Sequence, residues 1–415
     1  MVVNYCADPL HGHSIACGAG QQDVSYCGPH RFQKTVDRLY RNAGSTQPQS
    51  TPLPAPESQS PESLLTIPQF TDVTAAAGLE QTTTYGLGLA VCDFDGDAWP
   101  DLFVASDMTA NCLWMNQRDG TFREEAIPRG VAASGYGLPQ GCMGVALGDI
   151  DQDGDFDMLV TNLVTEGSTL YLNDGAGVFE DVTQAYGILR PTRSHTGWGC
   201  ALIDLDLDGD LDLPIVNGFV VPNGSMFPPH GEDVFQEAVQ EVQNAARFFE
   251  PYGDVNLLLL NNGRGRFIDE TINAGDFTAA RGSARALLVA DWDNDGDIDL
   301  LTTHVGAPAR VYRNEFPAQG NWLKVTCWLS EWNREALGAV VRVHSADRSW
   351  TALAAPCSSY LSGSASEVHF GLGKLEAIET LEVLWPDGTR ESFPAVPTNQ
   401  HLQLFSGTGT PLPAL

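Results

Sequence analysis

The sequence predicts an all-β protein: a β-propeller of repeated blades, followed by a small β-sandwich-like module. Three observations carry this. Four aspartate ladders recur, Asp93-Phe-Asp95-Gly-Asp97-Ala-Trp-Pro-Asp101, Asp149-Ile-Asp151-Gln-Asp153-Gly-Asp155-Phe-Asp157, Asp204-Leu-Asp206-Leu-Asp208-Gly-Asp210-Leu-Asp212 and Asp291-Trp-Asp293-Asn-Asp295-Gly-Asp297-Ile-Asp299. A second motif alternates with them, as Leu39-Tyr-Arg-Asn42, Leu113-Trp-Met-Asn116, Leu170-Tyr-Leu-Asn173, Leu258-Leu-Leu-Asn261 and Val311-Tyr-Arg-Asn314. From about residue 320 the texture changes to short apolar–polar alternations between glycines, the signature of a compact β-module.

The phase between the two motifs defines the repeat unit. Apolar, strand-like runs flank each ladder, such as Val145-Ala-Leu before and Met158-Leu-Val-Thr after, so each ladder joins two strands. A third strand carries the Leu-x-x-Asn motif, and a short fourth follows Gly-x-Phe, as in Gly177-Val-Phe179 and Gly265-Arg-Phe267. Ladder spacings of 56, 55 and 87 residues, the last with an insertion, match a four-stranded propeller blade.

Taken in order, residues 1–43 read as a partial first blade. Val2-Val-Asn-Tyr5 has the character of a strand that follows a ladder, and the Leu39 motif comes next with no ladder before it, so the start of the propeller is expected to be missing. Residues 44–68, rich in Ser, Thr, Pro and Gln, read as a flexible insertion. Residues 69–317 hold the blades, interrupted at 218–253 by an insertion with a helix expected at about 233–249. Residues 318–407 form the second module and 408–415 a tail.

The ladders are candidate calcium sites. Carboxylates at positions 1, 3, 5 and 9 can turn inward around one hard cation, which oxygen ligands at alternate residues suit. The candidate ligands are Asp93, Asp95, Asp97 and Asp101; Asp149, Asp151, Asp153 and Asp157; Asp204, Asp206, Asp208 and Asp212; and Asp291, Asp293, Asp295 and Asp299. An EF-hand is excluded, because it needs a bidentate Glu at position 12, where Val104, Val160, Ile215 and Thr302 stand. Gly154, Gly209 and Gly296 hold position 6, where the turn favours a residue tolerant of positive φ; Ala98 replaces that glycine in the first loop. A bound divalent ion keeps carboxylates ionised, which argues against these aspartates as catalytic acid–base pairs.

The chain has 415 residues, 43% of them hydrophobic, and a formal charge of −31. Such a charge argues against nucleic-acid or anionic-membrane partners. No apolar run reaches the length of a membrane span, and the first residues lack the basic and apolar regions of a secretory signal. Cys6, Cys17 and Cys27 cluster and can include one disulfide in an oxidising compartment, whereas Cys92, Cys142, Cys200, Cys327 and Cys357 sit among apolar residues as buried free thiols.

The ladders with Leu-Tyr-x-Asn and Gly-x-Phe resemble FG-GAP/VCBS propeller repeats, the class also found in integrin α-chain heads. The second module is similar to the ASPIC/UnbV domain, whose pattern is matched at Asn321-Trp-Leu323, Asn333 to Val340, His369-Phe-Gly-Leu-Gly373 and Val383 to Gly388. Together, with Tyr26-Cys-Gly-Pro29 and Arg281-Gly-Ser-Ala284, these cover nearly the whole chain and resemble the cartilage acidic protein 1 family. That resemblance implies an extracellular, periplasmic or cell-surface calcium-binding propeller that recognises a protein or glycan partner. It fixes fold better than function.

A second reading is an enzyme of small-molecule metabolism. His195, Trp198, Arg281 and Arg285 precede ladders and His304 follows one, so a His/Arg-lined channel is conceivable for an anionic substrate, with His195, Arg281 and Arg285 as the catalytic candidates. His11, His13, His230 and Glu232 make a weak transition-metal set, since no His pair sits at i and i+4 of a helix. Asn223-Gly-Ser225 is a lone glycosylation sequon, and no Gly-x-Ser-x-Gly elbow is present.

Overall fold

The repeat seen in sequence becomes a repeat of sheets in the computed structural model, which describes residues 33–46, 67–220, 249–316, 320–355 and 359–413. Strands Gly86–Cys92, Asp101–Ser106, Cys112–Asn116 and Phe122–Glu124 form one antiparallel meander in chain order. Val145–Gly148, Asp157–Val160, Thr169–Asn173 and Phe179–Asp181 form the next, and Gly197–Cys200, Leu213–Asn217, Leu257–Asn261 and Phe267–Asp269 a third. The fourth has three strands, Ala284–Ala290, Asp299–His304 and Ala307–Tyr312, and Tyr40–Thr46 pairs with Ile67–Asp72 as a two-stranded remnant before them. These sheets stand side by side and are not closed into a ring among the described residues.

Register is as regular as sequence. The residue before each ladder pairs with the ladder's last aspartate: Cys92 with Asp101, Gly148 with Asp157, Ile203 with Asp212 and Ala290 with Asp299. Each ladder is therefore the loop of one hairpin. The Asn of the Leu-x-x-Asn motif pairs with the Phe of Gly-x-Phe, as Asn116 with Phe122, Asn173 with Phe179 and Asn261 with Phe267.

The cores lie between blades. Phe94 and Phe103 of the first blade pack with Met158, Tyr171 and Phe179 of the second, and Leu159 and Leu170 of the second with Leu213, Ile215 and Leu259 of the third. Each fully buried side chain of this kind contributes about 1.5–3 kcal/mol. Inner strands approach so closely that glycine is required: a Cβ on Gly144 would sit 2.0 Å from the Trp198 carbonyl oxygen.

The second module packs two sheets face to face. One holds Arg334–Glu335, Trp322–Leu329 and Val368–Gly371, with Gln400–Phe405 parallel to Trp322–Leu329. The other orders Ser349–Leu353, Val340–His344, Ala377–Leu384, Arg390–Pro397 and Thr410–Pro411. Leu323, Val325, Val341, Val343, Leu381 and Val383 fill the space between, and Trp385 is buried with its indole N–H donated to Glu391 Oε2 at 2.9 Å.

Cys92, Cys112, Cys142, Cys200 and Cys327 are free and buried, and burial pushes their thiols up, which makes them poor nucleophiles. The Val2–Tyr5 strand, Cys6, Cys17, Cys27, Cys357, His11, His13, the 233–248 part of the expected helix, His230, Glu232 and the Asn223 sequon lie outside the described residues. Paired strands reach into both ends of the 44–68 insertion.

Candidate metal centres and the domain that covers them

In each hairpin loop the backbone turns twice through the left-handed region. Position 4 has φ of 71° at Gly96, 63° at Gln152, 62° at Leu207 and 60° at Asn294; position 6 has 67° at Ala98, 99° at Gly154, 97° at Gly209 and 101° at Gly296. Ala98 thus keeps the turn that glycine makes elsewhere, at the smaller φ a side chain tolerates. The sequence flagged position 6 but not position 4, because Gln, Leu and Asn there follow no common rule.

These turns aim carboxylates inward. In the first three loops, positions 1, 3 and 9 converge: Asp93, Asp95 and Asp101; Asp149, Asp151 and Asp157; Asp204, Asp206 and Asp212. In the fourth it is positions 1, 3 and 5, Asp291, Asp293 and Asp295, and within every set the oxygens lie within 4.8 Å of one another. Asp97, Asp153, Asp208 and Asp299 stand outside the converging sets. Asp97 takes the Arg118 guanidinium at 2.7 Å, while Asp153 and Asp208 accept the N–H groups of Asp155 and Asp210.

The position-9 aspartates also hold the blade. Asp157 Oδ2 accepts the Ile150 N–H and its Oδ1 the Asn173 N–H, both at 2.9 Å. The same pair of bonds recurs from Phe94 and Asn116 to Asp101, from Leu205 and Asn261 to Asp212, and from Trp292 and Asn314 to Asp299. The motif asparagines extend this between blades: Asn173 Nδ2 donates to Phe94 O at 2.9 Å and Asn314 Nδ2 to Leu205 O at 2.8 Å.

Such crowding of buried carboxylates is unfavourable without a cation. Burial, reinforced by neighbouring aspartates, pushes Asp101 and Asp149 up to about 7, Asp157 and Asp204 to about 8 and Asp212 to about 9. Asp149 Oδ1, Asp204 Oδ1 and Asp291 Oδ1 are buried with no hydrogen-bond partner, as is Asp95 Oδ1. All-oxygen sets with an orphaned buried oxygen fit a hard divalent cation.

The second module covers loops two to four and reaches the first aspartate of each by a different residue. The Thr351 hydroxyl lies near enough to Asp149 to favour its charged form; Gly371 lies so close to Asp204 that a Cβ would fall 1.8 Å from Oδ2; Lys324 donates its ammonium to Asp291 Oδ2 at 3.0 Å. Arg348 binds Gln152 Oε1, Asp210 Oδ1 and Gly209 O, the last at 2.6 Å, and Trp350 donates to Gly209 O at 3.0 Å. His369 Nε2 meets Gly296 O at 2.9 Å. Sequence reading missed Lys324 and Arg348; the one available signal was a lysine set among apolar residues in Trp322-Leu-Lys-Val325.

Each of the enzyme candidates has a partner within the fold. His195 Nδ1 faces Asp254 Oδ2 at 2.9 Å, and Arg281 donates to Gly253 O at 3.0 Å. Arg285 stacks 4.0 Å above the Trp198 ring, whose N–H goes to Gly218 O at 2.7 Å. His304 Nε2 pairs with Thr302 Oγ1 at 2.8 Å, and burial lowers its pKa to about 4.

Blades whose first two strands are joined by acidic hairpin loops, with a β-sandwich seated on those loops, define a propeller-type repeat protein. The FG-GAP-like repeat family matches residues 93–160, and the ASPIC and UnbV family matches residues 330–411. Beyond these segments the chain is homologous to cartilage acidic protein 1: it is 28% identical over 327 residues to that of Xenopus tropicalis, covering 77% of this chain, and 28% identical over 325 residues to that of Homo sapiens, covering 76%. The chain spans under half of these relatives, 44% and 43% of their lengths. Among solved structures, a lectin of Agrocybe aegerita that recognises non-reducing terminal N-acetylglucosamine superposes with a TM-score of 0.32 at 15% identity, covering 82% of each chain. The Dos1 propeller gives 0.28 at 10% identity, covering 78% of this chain and 72% of that one. Among the described residues no helix is long and apolar enough to cross a membrane.

Proposed function

We propose that this chain is an extracellular recognition protein whose propeller loops are held in shape by calcium. The observation that carries the reading is the threefold recurrence, in loops one to three, of carboxylates at positions 1, 3 and 9 converging within 4.8 Å around oxygens that the protein leaves without a donor. Asp93, Asp95 and Asp101, with Asp149, Asp151 and Asp157 and with Asp204, Asp206 and Asp212, would hold the ions. Calcium would supply the positive charge these clusters lack; its role is structural. The homology to cartilage acidic protein 1 supports an extracellular setting, and the partner this reading proposes is a protein or glycan.

The test is thermal unfolding of the purified chain titrated with calcium. Modules of this kind bind with Kd of roughly 10⁻⁴–10⁻³ M. Calcium about tenfold above its Kd adds about 1.4 kcal/mol per site, so about 4 kcal/mol over three. The melting temperature should rise with calcium, and Asp151→Ala and Asp206→Ala should each remove part of the rise. A melting temperature indifferent to calcium sinks the reading. Recognition is tested separately by binding of the calcium-loaded and chelated chain to immobilised matrix proteins and glycans, where loss of binding on chelation is the expected result.

A further inference from the structure

The four loops share one backbone course, yet the second module approaches their first aspartates with unlike chemistry. Asp149 meets a neutral hydroxyl from Thr351, and Asp204 meets a glycine, Gly371. Asp291 alone meets a charge. The Lys324 side chain is 4% exposed and that of Asp291 0%, and the ammonium lies 3.0 Å from Asp291 Oδ2, 3.4 Å from Asn294 Oδ1 and 3.7 Å from Glu367 Oε1.

The placement is built in. Lys324 stands mid-strand in Trp322–Leu329, directly across from His369, whose Nε2 meets Gly296 O of the same loop at 2.9 Å. Two neighbouring side chains of one strand pair thus fix both ends of the loop's turn. Elsewhere the position-6 N–H binds the first aspartate, from Ala98 to Asp93 and from Gly209 to Asp204; at Asp291 the Oδ2 takes the ammonium instead. Arg313 lies 3.4 Å from Asp293 Oδ2, as Arg129 lies 3.6 Å from Asp95 Oδ2 in the first loop, so the buried ammonium and not this exposed arginine sets the fourth loop apart. The fourth loop also converges differently, without its position-9 aspartate.

We propose that the Lys324 ammonium is the resident cation of the fourth loop, which therefore takes no divalent ion, so that the four loops together bind three calcium ions and not four. This rests on the calcium reading of the first three loops. A divalent ion sharing the Asp291 carboxylate with a buried ammonium would meet strong repulsion in a low-dielectric site, and nothing lets the lysine withdraw to water. Truncating the lysine leaves Asp291 buried without a cation, the condition of Asp149 and Asp204 in the second and third loops.

The experiment is calcium stoichiometry by equilibrium dialysis on the full chain, with melting temperatures alongside. Wild type should bind three ions, and Asp293→Asn combined with Asp295→Asn should still bind three. Asp151→Asn should bind two. Lys324→Met should bind four and gain more thermal stability from calcium than wild type does. Four ions in wild type with one lost in the Asp293/Asp295 double variant overturns the inference and leaves the calcium reading standing, as does a folded Lys324→Met that stays at three. Should Lys324→Met fail to fold, the double variant decides alone. No calcium bound by wild type but one ion by Lys324→Met sinks the three-loop reading and leaves the lysine's role standing; none in either sinks both.

Discussion

Both oxygens of Asp157 receive backbone N–H groups at 2.9 Å, and the residue is fully buried, so truncation strands two donors away from water. Each stranded group costs about 1–3 kcal/mol. Asp157→Ala should therefore lose about 3 kcal/mol in calcium, read from urea midpoints, whereas Asp153→Ala, exposed and bonded only to the Asp155 N–H, should lose under about 1 kcal/mol. Equal losses would contradict the distinction between the position-9 aspartate that holds the blade and the exposed position-5 aspartate outside the converging set. The same carboxylates predict an unusual pH response. Their folded pKa values, up to about 8 for Asp157 and Asp204 and about 9 for Asp212, exceed the unfolded value, so without a cation the folded state binds more protons than the unfolded state and stability falls as pH rises through this range. In chelator the melting temperature should rise from pH 8.5 to 6.5; in saturating calcium it should stay level or fall, because protons then compete with the ion. Below about 6.5 the half-buried His304 and His369, both lowered to about 4 by desolvation, act the other way: they stay neutral in the fold and gain a proton only on unfolding, so acid costs stability there. A chelated chain that loses stability between pH 8.5 and 6.5 would contradict the repulsion argument.

Blade packing depends on inner strands with no side chain at the contact. At Gly144 the obstructing atom is backbone, the Trp198 carbonyl oxygen, and cannot swing aside, so Gly144→Ala should cost about 3 kcal/mol by urea unfolding. Gly154→Ala meets nothing within 4 Å and carries only the strain of φ 99°, so about 1–2 kcal/mol is expected. A reversed order would mean the blades can slide. Gly144 illustrates what was legible in the sequence. Ladder, motif asparagine and Gly-x-Phe are local patterns of fixed spacing, and they led directly to the hairpins, the blade order and the convergence of most of the aspartates. The need for glycine at 144 comes from a strand in the next blade, and the environment of Lys324 from a loop some thirty positions before it, so neither is written in local spacing. Period alone groups Asp97, Asp153, Asp208 and Asp299 with their loops, and they stand outside the converging sets.

For the whole molecule, the second module and the loops it covers should respond to calcium as one unit. Arg348 is the main tie to loops two and three: it binds Gln152 Oε1, Asp210 Oδ1 and the Gly209 carbonyl, and its guanidinium lies 5.1 Å from the centroid of Trp350, which shares that carbonyl. Those bonds require the Gly209 turn to hold still, which is what an ion between Asp204, Asp206 and Asp212 would enforce. Ordering the loop and gripping it then favour one another, so the two changes are coupled and not additive. Arg348→Ala should lower the melting temperature by about 3 °C or more in saturating calcium, taking about 2–4 °C per kcal/mol for a domain of this size. In chelator, with the loop free to move, the same substitution should cost clearly less. The Lys324–Asp291 pair makes the contrast, because it needs no ion: it should keep the module seated on the fourth loop in chelator, so scanning calorimetry of the chelated wild type should still show the module and its blade melting together. An Arg348→Ala penalty identical with and without calcium would mean that the module rests on a scaffold already rigid, and the coupling between ion and module would be withdrawn.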